Sequence, residues 1–141
     1  MKRNAQAHWE GNLKEGKGTL FTESGVLEAQ QYSFKTRFEN GKGTNPEELI
    51  GAAHAGCYAM ALSMILGEHG YKADHIDAEA GVELKEVDGK PTITAVALKV
   101  SARVPDADEE AFQKAADAAK KGCPVSRLLN ADISLDATLL D

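Results

Sequence analysis

The stretch Thr44-Asn45-Pro46-Glu47-Glu48-Leu49-Ile50-Gly51-Ala52-Ala53-His54-Ala55-Gly56-Cys57 decides how the chain is read. Asn45 stands where it can cap a helix whose first residue is Pro46, a position at which a missing N–H and a fixed φ cost nothing. Glu47 and Glu48 fall in the first turn, where the helix dipole favours negative charge. Leu49, Ile50, Tyr58, Met60, Leu62, Met64, Ile65 and Leu66 carry the helix on, with Gly67 and the His69-Gly70 pair as available stops. One of only two cysteines, Cys57, therefore lies deep inside a long, largely apolar helix. A protein either packs a thiol there or shields one that it uses.

On the N-terminal side the sequence reads as strands. Ala7 and Trp9 alternate with His8 and Glu10, Gly11-Asn12 turns, and Thr19-Leu20-Phe21-Thr22 forms a second strand. Val26 to Phe38 predicts one long or two broken strands, with Tyr32, Phe34 and Thr36 on one face and Arg37 on the other. Beyond the helix the period switches to two. Ile76, Ala78, Ala80, Val82 and Leu84 alternate with polar residues, Asp88-Gly89 marks a hairpin, and Val96, Leu98, Val100, Ala102 and Val104 return. Pro105-Asp106 is expected to open a second helix running to about Lys121. Cys123-Pro124 then starts a short third one, and Ile133, Leu135, Ala137 and Leu139 a last strand. The order β-β-β-α-β-β-α-α-β predicts a single α+β domain over residues 1–141, with mostly antiparallel sheets around the central helix.

A chain of 141 residues with 43% hydrophobic and 27% charged residues can bury a core in water. A net charge of −6 and the lack of any Lys/Arg-rich run argue against nucleic acid as a partner. The polar N-terminus carries no signal-peptide pattern, and the apolar part of the helix reads as too short and too interrupted for a membrane span. Two cysteines in such a chain suit free thiols or a redox pair in the cytoplasm.

Gly51, Ala52, Ala55, Gly56 and Ala59 make a seam of small residues in the helix. Interior glycines each cost about 1 kcal/mol relative to alanine, so something must approach closely. Two readings stand: a tight crossing against the chain's own sheet, or a crossing of two copies at a two-fold axis. Glu47 and Cys57 are ten residues apart, about 15 Å along one helix. Two antiparallel copies crossing near Ala52 would bring Glu47 of one towards Cys57 of the other, which favours the homodimer.

Cys57 is too far along its helix to be ionised by the N-terminus and needs a cation from elsewhere. Cys123, between Gly122 and Pro124, sits at a helix start, where free N–H groups favour a thiolate. His54 lies one turn before Cys57 and reads as a packing or surface histidine, although it could reach the thiol. Two cysteines with His54 or His8 do not have the spacing of a structural zinc site.

Ala7-His8-Trp9-Glu10-Gly11, Thr22-Glu23-Ser24-Gly25-Val26-Leu27, Thr36-Arg37-Phe38, Gly43 to Ala55, and Gly122-Cys123-Pro124-Val125-Ser126 together resemble the OsmC/Ohr family, closer to its osmotically inducible branch than to its organic hydroperoxide resistance branch. The resemblance covers essentially the whole chain. It implies the family's fold, an intertwined homodimer with both sites at the interface, and a cysteine peroxidase of osmotic and oxidative stress. It assigns Cys57 as the peroxidatic thiol and Cys123 as the resolving one. Arg37, in an expected third-strand motif, matches the family's arginine, and Glu47 its glutamate. On that reading Arg37 holds Cys57 as thiolate and Glu47 orients the guanidinium. Cys57 becomes a sulfenic acid, Cys123 closes a disulfide, and an external dithiol reopens it, with no cofactor or metal. Organic hydroperoxides are the expected substrates and hydrogen peroxide a poorer one, taken up among Leu49, Phe38, Tyr58 and Met60. A redox sensor or thiol-disulfide exchanger, and a small-ligand binder that leaves its thiols unused, are the competing readings.

Overall fold

Alternation in the first residues becomes β1 (Ala5–Glu10), antiparallel to β2 (Lys17–Thr22), in the computed structural model, which describes residues 1–141. The chain packs as two compact units, Met1–Leu49 and Ile50–Asp141. In the first, the short β3 (Gln30–Tyr32) adds to the other edge of β2. Gly18 lies opposite both Trp9 and Tyr32, whose ring centroids are 5.5 Å apart. A Cβ at Gly18 would stand 2.4 Å from the Tyr32 ring and 2.7 Å from that of Trp9, so only glycine lets the two rings close over the strand.

The expected strand over Val26 to Phe38 is corrected here. Only Gln30–Tyr32 forms a strand, and Arg37 lies in a helix, α1 (Phe34–Phe38). The cause is local. The Ser33 N–H donates to Thr36 Oγ1 at 2.8 Å and the Thr36 N–H to Ser33 Oγ at 3.3 Å, a reciprocal cap that starts a helix. Phe34 and Phe38, one turn apart, then pair with centroids 4.9 Å apart. The observed order gains this helix and is otherwise as the sequence predicts.

The long helix is α2 (Pro46–Glu68), with Pro46 first and the Glu48 N–H donating to Asn45 Oδ1 at 2.8 Å. From Ile50 onward it belongs to the second unit. There β4 (His75–Val87) and β5 (Lys90–Arg103) form the hairpin, with Asp88 at φ 51° and Gly89 at φ 77°, the pair of left-handed residues a tight turn requires. The helix α3 (Glu109–Gly122) starts later than expected. Asp106 is left-handed (φ 70°) in a turn closed by the Ala107 N–H on the Val104 carbonyl, and the side chain of Asp108 caps the Ala111 N–H. After α4 (Pro124–Leu128), β6 (Asp132–Leu140) returns parallel to β5, because a helical crossover separates the two.

Tyr58, Leu62 and Leu66 of α2, Val96, Leu98, Val100 and Ala102 of β5, and Phe112, Ala115, Ala116 and Ala119 of α3 form the core of the second unit. Gly51 is explained inside this unit, since a Cβ there would lie 3.1 Å from the Ala80 carbonyl oxygen. Gly56 is not, for nothing lies within 4 Å of its Cβ position. With Ala53, Met60 and Met64 it belongs to an exposed face of α2. One expectation fails on length: α2 has 23 residues, and an 18-residue stretch of it has a mean hydropathy of 1.6, enough by length and composition to cross a membrane. Its interruptions, His54, Ser63 and the glycines, bring no Asp, Glu, Lys or Arg into the stretch from Leu49 to Leu66. Its stripe of Tyr58, Leu62 and Leu66 is nevertheless buried against sheet and helix.

Candidate active site

Every fourth residue of α2 from His54 to Leu66 is fully or almost fully buried, and Cys57, one step before Tyr58, sits half-buried at the edge of that stripe. Cys123 is fully buried where α3 gives way to α4. Its N–H donates to the Ala119 carbonyl, closing α3, while it serves as the N-cap of α4, whose first residue is Pro124. The two sulfurs meet at 3.0 Å, within hydrogen-bond reach and well beyond the ~2.05 Å of a disulfide, and both thiols are free.

Burial, and then the proton shared with Cys123, push the Cys57 thiol above its ordinary value; the Val125 N–H offsets this in part. Burial also raises Cys123. It is outweighed by hydrogen bonding with Cys57, with the Ser126 N–H and hydroxyl, and with the Val125 N–H, which together set this thiol below its ordinary value. Within the second unit the surroundings of the pair therefore raise the Cys57 thiol and lower that of Cys123. The lowering of Cys123 lies in the direction that its place at a helix start predicts.

In the first unit, Arg37 Nη2 and Nε donate to the same oxygen, Oε1 of Glu47, at 2.8 and 3.1 Å. The Glu47 side chain is 11% exposed and its other oxygen, Oε2, is buried without a partner. Arg37 is more open, at 38%, with its guanidinium 5.5 Å from the centre of the Phe38 ring. Asn45 ties the two elements together, its Nδ2 donating to the Thr36 carbonyl at 3.1 Å while its Oδ1 caps α2. Beside Arg37 lies a hollow of about 220 Å³ lined by Trp9, Leu13, Tyr32, Phe34, Phe38 and Pro46.

The four residues singled out from the sequence thus come together as two pairs, Cys57 with Cys123 and Arg37 with Glu47, each inside its own unit. Of the residues expected around an apolar pocket, Phe38 lines this hollow. Tyr58 does not line a pocket: it is fully buried and its hydroxyl donates to the Ala116 carbonyl at 3.0 Å. Met60 is 78% exposed. His54 is fully buried, and its Nε2 lies 2.8 Å from Ser126 Oγ in the core. Ser126 was legible only as part of the Cys123 motif, and the Val125 N–H, being backbone, left no trace in the sequence.

A family model described as OsmC-like protein matches residues 39–138. The chain is 56% identical over 139 residues to Peroxiredoxin OsmC of Escherichia coli, covering 99% of this chain and 97% of that one. It is 31% identical over 122 residues to the organic hydroperoxide resistance protein OhrB of Bacillus subtilis, covering 84% and 88%. The crystal structure of OhrB from that organism superposes with a TM-score of 0.69 over 97% of this chain and 98% of that one, at 24% identity.

The Arg37–Glu47 pair should respond unequally to its two truncations. Arg37→Ala leaves a buried carboxylate unpaired and should cost about 3 kcal/mol in urea denaturation. Glu47→Gln leaves a half-exposed guanidinium that water can reach and should cost about 1 kcal/mol. Equal losses would contradict the asymmetric burial.

Proposed function

The chain belongs to the OsmC-like protein family, and from that footing we propose that it is a thiol-dependent peroxidase reducing organic hydroperoxides through Cys57 and Cys123. The observation that carries this reading is the hydrogen-bonded contact of two free sulfurs at 3.0 Å. The Cys57 thiolate attacks the terminal peroxide oxygen, the O–O bond breaks, and the leaving alkoxide takes a proton to become an alcohol. Cys57 is left as a sulfenic acid. Cys123 attacks its sulfur, the S–O bond breaks, water departs, and a disulfide remains. An external dithiol reopens it by exchange. The electrons come from thiols throughout, so the chemistry requires no metal, haem or flavin.

Arg37 has the remaining role. A cation is what Cys57 lacks within its own unit, and a guanidinium both stabilises a thiolate and donates to the developing alkoxide. Glu47 fixes its orientation through the two bonds to Oε1. The aromatic hollow beside Arg37 suits the hydrocarbon part of an organic hydroperoxide better than it suits hydrogen peroxide. Along α2, Glu47 and Cys57 are separated by about 15 Å. We therefore take the working form to be a homodimer in which two copies of α2 cross near Ala52, each protomer bringing its Arg37–Glu47 pair to its partner's Cys57. The unexplained Gly56 and the exposed apolar face around it support that crossing. The family match runs across the boundary between the two units, which supports one functional domain. Two free thiols suit the cytoplasm, and α2 is read as the core helix of a protein in water.

Turnover of cumene hydroperoxide with excess dithiol tests the reading. Cys57→Ser should abolish it, Cys123→Ser should allow about one turnover before Cys57 over-oxidises, and Arg37→Ala should slow it about a hundredfold. Wild-type rates in Cys57→Ser would end the proposal. Wild-type protein that oxidises once and stops under excess dithiol would identify a redox sensor instead. In light scattering the protein should run as a dimer, and a monomer at micromolar concentration would contradict the shared site.

A further inference from the structure

His54 is a fully buried imidazole one turn before Cys57, on the helix that carries that thiol, and its ring makes a single hydrogen bond, between Nε2 and Ser126 Oγ at 2.8 Å. Its Nδ1 is buried with no partner. Ser126 is itself 9% exposed, on α4, three residues after Cys123. Its backbone N–H and its hydroxyl are both among the groups that lower the Cys123 thiol. A hydroxyl has one proton to give. If that proton points at Cys123, the Ser126 oxygen can only accept from His54, so Nε2 carries the imidazole hydrogen and Nδ1 is the bare nitrogen. The orphaned atom is then an acceptor, the less costly kind to leave buried.

Resting on the peroxidase reading above, we infer that His54 is a positioning residue for the second half of the cycle: through Ser126 it aims a hydrogen bond at the Cys123 sulfur and readies that thiol to resolve the sulfenic acid on Cys57. In that step the Cys123 sulfur lone pair forms the S–S bond, the S–O bond of Cys57 breaks, and the departing oxygen takes the proton given up by Cys123 to leave as water. No further reactant is needed. The neutral state of the relay is built in, because burial holds the His54 imidazole below its ordinary value. The titratable groups that face Cys123 are Cys57 and Tyr58, both from α2. Tyr58 stays a phenol, raised chiefly by burial and further by Asp117 and Cys123, so near neutral pH only the two thiols exchange protons. The arrangement divides the work. Cys57 depends on a cation from outside its unit, whereas Cys123 is prepared by neighbours that never leave it.

Thiolate absorbance of Cys123, followed against pH in a Cys57→Ser background, tests the relay without peroxide. Ser126→Ala and His54→Leu should move the midpoint up by about one pH unit, and Ser126→Thr and His54→Gln, which keep the donors, should restore it. Closure of the Cys57–Cys123 disulfide after one equivalent of cumene hydroperoxide should slow about tenfold in Ser126→Ala. An unchanged midpoint in both Ser126→Ala and His54→Leu would overturn the inference. So would imidazole nitrogen shifts of the unaltered protein that place the hydrogen on Nδ1, a reading that needs no variant to fold. A shifted midpoint in a protein that leaves hydroperoxide unconsumed would retire the peroxidase reading while upholding the hold of His54 and Ser126 on Cys123.

Discussion

Two sulfur atoms 3.0 Å apart, on residues 66 positions apart in sequence, must be carried there by whole secondary-structure elements, and the core of the second unit is arranged to do so. Cys57 is fixed by its neighbour Tyr58, which drives its ring into the core and gives its hydroxyl to the Ala116 carbonyl of α3. That bond joins the helix bearing one thiol to the helix that ends on the other. Ala115, Ala116 and Ala119 leave α3 thin enough on its inner face to accept the tyrosine. The chain then turns at Cys123 with its N–H still spent on α3 and the N–H groups of α4 turned onto its sulfur. Pro124 supports the turn, since a first helical residue has no N–H partner to lose.

The first unit holds a cation firmly against a nearly buried carboxylate. Arg37 comes from a five-residue helix that would not persist alone and is kept by the Ser33–Thr36 cap and the Phe34–Phe38 pair. Asn45 links that helix to the start of α2, which sets Arg37 beside Glu47. Both guanidinium bonds go to one carboxylate oxygen, so the rest of the fork is left for other work.

Much of this was legible in the sequence because the signals were local. The Asn45-Pro46-Glu47 start, the Asp88-Gly89 hairpin and the alternation of β4, β5 and β6 each carry their own cause, and each appears where it was read. The failures have physical reasons too. Tyr32, Phe34 and Thr36 imitate a strand by alternation, whereas the reciprocal Ser33–Thr36 bonds and the one-turn spacing of Phe34 and Phe38 select a helix. Pro105 suggested a helix start, but the left-handed Asp106 delays it to the better cap, Asp108. Tyr58 looked like pocket lining because an aromatic beside a reactive thiol fits that role, and nothing in the sequence announces a hydrogen bond to Ala116. The burial of His54 against Ser126 joins residues 72 apart and is a purely tertiary fact.

The central claim is that Cys57 and Cys123 form one redox couple driven by peroxide. Reduced protein treated with a single equivalent of cumene hydroperoxide and digested without reductant should yield one peptide joined through Cys57 and Cys123, lighter than its two parts by two hydrogens. Recovery of both cysteines as free thiols with the hydroperoxide intact, or of a cross-link that omits either one, would contradict it.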